Sequence, residues 1–205
     1  MKNQTYFITG ISTEVGKTIV SAIVTQALQA DYWKPVQAGE LEHSDTHKVQ
    51  QLVSNTKTKF HASSFNLETP MSPHAAAKID GVHLLVKKIK RPKSQNNLVI
   101  EGAGGLLVPL NDTQTVMDLI DPSDKVIVVS RHYLGSINHS LLTIEALKSR
   151  GIPVFGIIFS GAKHPSTERI IAKMSGVAVL GRIDQEPYFD KNVVKQYAED
   201  LRAVL

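Results

Sequence analysis

"TYFITGISTEVGKTIVSAIVTQALQA", residues 5–30, runs from a short apolar strand through a polar loop bounded by glycines into a helix with an apolar stripe at Ile19, Ile23, Ala27 and Leu28. Gly10 and Gly16 permit positive backbone angles and close approach of an anion. Lys17 brings a mobile ammonium, Thr18 a hydroxyl one residue into the helix, and the first N–H groups of that helix face the loop. The order strand, loop, Gly-Lys-Thr, helix is that of a phosphate-binding loop, although the interval between Gly10 and Gly16 is one residue longer than in the standard pattern G-x-x-x-x-G-K-[ST].

Outward from this unit the chain keeps alternating short apolar strands with longer helical segments. "YWKPV" reads as a strand stopped by Pro35, and "DTHKVQQLV" and "VHLLVKKI" read as helices, with "TPMSPHAAA" between them as a proline-punctuated turn able to start a helix at Pro73. Then come "NLVIEG" as strand, "TVMDLI" as a short helix, "KVIVVS" as strand and "SINHSLLTIEALKS" as helix. "PVFGIIF", "STERIIAKM", "VAVLG" and "DKNVVKQYAEDLRAVL" continue as strand, helix, strand and terminal helix. Strands apolar on both faces suit a mostly parallel sheet covered by helices on each side. The expectation is a doubly wound α/β fold of the P-loop NTPase type, one domain over residues 1–205. Ligands of such sheets collect at the carboxyl ends of the strands, so residues just after each strand are the candidates.

Composition narrows the chemistry. No apolar run approaches the ~18 residues that span a bilayer, and "MKNQTYFITG" lacks the apolar core of a signal peptide, which places the expected site of action in the cytoplasm. The absence of cysteine excludes disulfides, thiolate metal sites and a cysteine nucleophile, and leaves oxygen or imidazole donors, favouring magnesium. Net charge is +4, and the basic run "KKIKRPK" at 87–93 has no interleaved base-reading residues, so it reads as a solvated helix end and nucleic acid is not an expected partner.

Lys34, at the end of the second strand, reads either as a surface lysine beside a packing Trp33 or as a second cation able to stabilise charge developing during phosphoryl transfer. Glu101 ends an apolar strand, where an acid supports magnesium, and Gly102, Gly104 and Gly105 leave bare backbone beside it. In "EHSDTHK", His43 and His47 have the i,i+4 spacing of a metal pair, or else Asp45 at a helix start is a magnesium ligand or N-cap and the histidines are exposed. Gly135, Ser136 and Asn138 open a helix, as plain caps or as a seat for a carboxylate.

"FITGISTEVGKT", "KPVQAG", "TPMSPHAAA", "VIEGAGGLLVPL" and "LGSINHSLLT", in this order across the chain, resemble the ATP-dependent dethiobiotin synthetases of biotin biosynthesis. That family has the lengthened loop. The resemblance implies a homodimer with active sites at the interface, using ATP, magnesium and CO2 to close a ureido ring on 7,8-diaminononanoate. It implies that Lys17 holds the γ-phosphate, that Lys34 bridges carbamate and γ-phosphate, and that Thr18, Asp45 and Glu101 hold magnesium. Backbone from Glu14 through Val15, Gly16, Lys17 and Thr18 to Ile19 would wrap the phosphates, and Glu101, Gly102, Ala103 and Gly104 would lie against substrate and nucleotide. Ser160, Gly161, Ile183, Asp184 and Gln185 fall where the base is held. Ala38 and, from the partner subunit, Gly135, Ser136 and Asn138 fall where the substrate is held.

The sequence departs from the family in three places: Ala38 stands where Ser or Thr is common, with Gln37 as a substitute contact; Ser160 followed by Gly161 stands where many members have Asn; and Asp184 replaces a proline. The alternative reading is a partition or positioning ATPase switch acting on DNA or membrane. Such switches have a second lysine near the start of the loop, which "GISTEVGKT" lacks, and the mixed charge of "KNVVKQYAEDLRAVL" is not that of a membrane-binding helix. An amidating synthetase with a glutaminase domain is the other rival, and 205 residues leave no room for that domain.

Overall fold

The computed structural model describes residues 3–205. In chain order the elements are β1 (Thr5–Gly10), α1 (Lys17–Leu28), β2 (Asp31–Trp33), β3 (Val36–Ala38), α2 (Asp45–Leu52), β4 (Phe60–His61), β5 (Phe65–Leu67) and α3 (Pro73–Ile79). They continue with β6 (Leu98–Gly105), β7 (Lys125–Arg131), α4 (Ser136–Ser149), β8 (Val154–Ser160), α5 (Pro165–Ser175), β9 (Val179–Ile183) and α6 (Lys191–Leu201). Seven strands form one parallel sheet in the order β4-β2-β6-β1-β7-β8-β9, and β3 pairs with β5 in a separate parallel pair.

The order follows from burial. β1, β6 and β7 are the central strands, and Phe7, Ile8, Val99, Ile100, Ile127, Val128 and Val129 are buried on both faces, as the unbroken apolar runs require. α1 packs on β6, β1 and β2 and also against α6, while α4 packs on β7 and β8. The expected doubly wound parallel sheet is what forms. β1 therefore ends at the centre of the sheet, and its loop opens between the ends of β6 and β7.

Four local expectations are corrected. "YWKPV" is not one strand: Pro35 has no N–H for a ladder, so β2 stops at Trp33 and the chain resumes as β3 in the second pair. "VHLLVKKI" is not a helix; it keeps only a 3-10 turn at Val86–Lys88, with Leu84 in the core and Val86 and Ile89 packed against it from an irregular crossing. The basic run is accordingly no helix end, and Arg91 reaches inward to Asp124 at 2.6 Å. "TVMDLI" is a 3-10 turn at Val116–Leu119, closed by a reciprocal Thr115–Asp118 cap.

Candidate active site

The loop after β1 folds as a cradle whose awkward turns fall at Glu14 (φ 55°) and Gly16 (φ 93°), the latter the residue before α1. A side chain at Gly16 would be strained by that angle and would meet the Ser160 hydroxyl at 3.2 Å, so glycine is required there. Ser160, the last residue of β8, donates its hydroxyl to the Val15 carbonyl at 2.6 Å. Lys17 curls back to donate to the Ser12 carbonyl at 3.0 Å and is only 7% exposed. Burial lowers its pKa to about 8, against the pull of Glu101 and with a further push from Lys34.

Lys34 is not a surface residue. It is 5% exposed and its ammonium is held between Asp45 and Glu101, the latter at 3.1 Å. Burial alone would lower its pKa, but the two carboxylates outweigh burial and raise it, so Lys34 is a fixed cation. Asp45 is held below the usual carboxylate range: burial works against this and the Lys34 charge prevails. Glu101, 1% exposed, accepts from Thr18 Oγ1 at 3.0 Å and Lys34 through Oε1, and from Tyr32 Oη at 2.9 Å through Oε2. The buried acid read from the sequence thus has three partners, one of which, Tyr32, the sequence did not reveal. Burial and Glu101 push the Tyr32 phenol well above its ordinary value, so it stays a donor.

Strand register explains the gathering. Trp33 aligns with Ile100, one residue before both Lys34 and Glu101, and Tyr32 aligns with Val99. Alternation puts Tyr32 and Lys34 on one face of β2, and Val99 and Glu101 on the same face of β6. That period-two pairing is the signal by which Tyr32 was discoverable.

Asp45 is the first residue of α2, and Ser44, accepting from the His47 N–H, is its N-cap. Asp45 N–H donates to Gln37 Oε1 at 3.2 Å, which ties α2 to the segment next to Ala38. His43 lies in the preceding 3-10 turn and His47 is an exposed residue of α2, so the two histidines do not share a helix face and the metal-pair reading is withdrawn. Among the described residues no group of three or more His, Cys, Asp or Glu side chains gathers. Thr18, Asp45 and Glu101 offer one hydroxyl and two carboxylates, all hard oxygen donors, beside the Lys34 ammonium, and this donor set fits a magnesium ion.

A cavity of about 880 Å³ opens above these residues. Its polar lining includes Ser12, Glu14, Lys34 and Asp45, and its apolar lining includes Met71, Leu107 and Leu142. Ala38, Ala103 and Gly104 also line it. At Gly39 (φ 70°) any Cβ would fall 2.5 Å from Pro70, so the glycine lets "TPMSP" close against the end of β3 and form a wall. Glu101 and Gly102 lie within β6, which runs on to Gly105 and does not end at Glu101 as expected, and Gly161, Ile183, Asp184 and Gln185 lie together where β8 and β9 end, joined by Gly161 N–H to Ile183 O at 2.9 Å. Asp184 pairs there with Arg182. Gly135, Ser136 and Asn138 begin α4 outside the cavity of their own chain, beside exposed Tyr133, Leu134 and Ile137.

The sequence matches the AAA domain family over residues 4–193. It is 65% identical over 199 residues to the ATP-dependent dethiobiotin synthetase of Christiangramia forsetii, covering 97% of this chain and 96% of that one. The enzyme of the same name from Cytophaga hutchinsonii is 52% identical over 198 residues, covering 96% of each. The chain belongs to the ATP-dependent dethiobiotin synthetases. Among solved structures it is similar to the MinC:MinD cell division complex of Aquifex aeolicus (TM-score 0.62, 14% identity, 98% of this chain and 94% of that one). A ParA family ATPase of Chlorobium tepidum gives TM-score 0.58 at 13% identity, covering 99% and 92%. At such identities the likeness shows the shared P-loop architecture alone. The partition-switch alternative therefore gains nothing from it, whereas the dethiobiotin synthetase relatives agree with this chain from end to end.

Proposed function

We propose that this chain carries out the ATP-dependent carboxylation and ring closure of 7,8-diaminononanoate with CO2, giving dethiobiotin, ADP and phosphate. The observation that carries the reading is Lys34, a buried ammonium that its two carboxylate neighbours keep charged and that lines, with Ser12 and Glu14 of the phosphate loop, a cavity of mixed polar and apolar lining.

One amine adds to CO2 to give a carbamate and a released proton. A carbamate oxygen attacks the γ-phosphorus and expels ADP, and the second amine then attacks the carbamoyl carbon, closes the ring and expels phosphate. Two anions must meet in the second step, so cations on both are required. Lys34 faces both and stabilises the charge that spreads over them. Lys17 sits in the loop to grip the γ-phosphate, whose negative charge favours the ammonium form of a lysine that burial otherwise holds near pKa 8. A magnesium ion held by Thr18, Asp45 and Glu101 would neutralise phosphate charge. The backbone of Glu14–Ile19 wraps the phosphates, and Gly161 with Ile183, Asp184 and Gln185 frames the base. The alkyl chain of the acid is assigned to the apolar lining residues Met71, Leu107 and Leu142. Its far carboxylate is assigned to Gly135, Ser136 and Asn138 of a second copy, a homodimer reading supported by the exposed apolar residues Tyr133, Leu134 and Ile137 around that helix start.

The purified protein with ATP, magnesium, bicarbonate and 7,8-diaminononanoate is expected to form dethiobiotin and phosphate together. Phosphate release that does not depend on the diamine overturns the reading. Lys34→Gln is expected to lower turnover by about 10²-fold or more while nucleotide still binds, the scale of losing one preorganised charge from a transition state.

A further inference from the structure

Tyr32 is wholly buried in β2, two residues before Lys34, and the reaction as derived gives it no part. Its ring packs in a tilted contact with Phe60 of β4 at 6.2 Å between centroids, which fixes the phenol from behind. Its hydroxyl is the donor at 2.9 Å to Glu101 Oε2, while Glu101 Oε1 faces Thr18 and Lys34. The carboxylate is therefore pinned at both oxygens. Rotation of the Glu101 carboxyl would break the bond from Tyr32 in a place shut off from water, where losing a hydrogen bond is costly. A strand of apolar residues would keep its packing with phenylalanine at this position; the hydroxyl is turned to the Glu101 carboxylate, with the Thr46 side chain also beside it.

We infer that Tyr32 is a positioning residue, holding Glu101 so that Oε1 is presented to Thr18 and Lys34 at the place where magnesium and the γ-phosphate meet. The inference rests on the reading that Thr18, Asp45 and Glu101 hold magnesium. Tyr32 touches neither substrate nor metal in this role; it acts through the orientation of one carboxylate.

Tyr32→Phe keeps the ring and its contact with Phe60 and removes only the donor. The readout is ATP binding to the full chain by calorimetry, in titrations with magnesium and in its absence, together with the melting temperature. The expected result is a rise of about tenfold in the magnesium concentration that half-saturates the metal-dependent gain in ATP affinity, with the affinity for metal-free ATP kept within about twofold. Glu101→Gln is run alongside and is expected to remove most of that metal-dependent gain. If Glu101→Gln behaves so and Tyr32→Phe matches the unaltered protein, the Tyr32 inference is overturned and the magnesium reading stands. If Glu101→Gln also leaves the metal dependence unchanged, the magnesium reading falls and the inference falls with it. Should Tyr32→Phe weaken ATP binding equally with and without magnesium and lower the melting temperature, its role is structural only, and the inference is again overturned.

Discussion

Ser160 shows how a residue chosen for one purpose serves another. Resemblance places it at the nucleotide base, yet its hydroxyl donates to the Val15 carbonyl and stands under Gly16, so it braces the phosphate loop from the end of β8. Ser160→Ala should cost about 1 kcal/mol, the worth of one ordinary hydrogen bond, and should raise the KM for ATP by roughly threefold to tenfold with kcat little changed. Comparing ATP, CTP and GTP separates the two roles. Loss of loop support weakens all three alike, while loss of a base contact weakens ATP alone; the second pattern would return Ser160 to the base. Lys34 also read as a surface lysine, and Glu101 read as a strand end although it lies within β6; Gly16, Lys17 and Thr18 were legible because a glycine, a lysine and a hydroxyl between an apolar strand and a helix mark a phosphate loop. Tyr32 was not, because an aromatic residue in a short apolar strand reads as core, and only its register against Glu101 gives it away.

Elements were legible in proportion to their length and regularity. The long helices α1 and α4 and the strands β1, β7 and β8 stand where periodicity put them, whereas β4 and β5, of two and three residues, are too short to display any period. The segment before β6 misled for a different reason. Its apolar residues are spaced as on a helix, but they are used to cross the base of the sheet, and the crossing is fastened by an ion pair that no local pattern encodes. Arg91 donates to both oxygens of the buried Asp124, at 2.6 Å each, and to the Leu119 carbonyl at 2.7 Å. Arg91→Ala should destabilise the protein by about 3 kcal/mol, because it leaves Asp124 charged and buried without its cation. Arg91→Lys should recover only part of that, since a point charge cannot make the forked contact. Urea unfolding of the three proteins measures both, and a loss under about 1 kcal/mol in Arg91→Ala would reduce the pair to an exposed surface bridge.

At the scale of the molecule the two ends of the sheet do different work. The carboxyl ends of the strands carry the candidate site, where Lys34 is buried between Asp45 and Glu101. The opposite end carries a closed polar cluster on the same strands. Asp31, the first residue of β2, accepts from Ser94 Oγ at 2.7 Å and the Lys59 N–H at 3.2 Å, and meets His61 Nε2 at 3.1 Å, joining β2, β4 and the approach to β6. Burial would raise the pKa of Asp31, but the bonds from Ser94, His61 and Lys59 outweigh it and hold the carboxyl below its ordinary 3.8. The native state thus binds the proton less readily than the unfolded chain does. Its contribution to stability is complete above the unfolded value and is lost as pH falls through the lower folded value, so the affected window lies below about pH 4. Asp31→Asn, which removes the charge and keeps the size, should cost roughly 1–3 kcal/mol at pH 7. The gap between the two proteins should then narrow as pH is lowered from 4 towards 2, since the carboxyl of the unaltered protein is protonated over that range. Denaturant unfolding at a series of pH values follows the gap directly, and a difference that stays constant down to pH 2 would mean that the cluster works through neutral hydrogen bonds and not through the charge on Asp31.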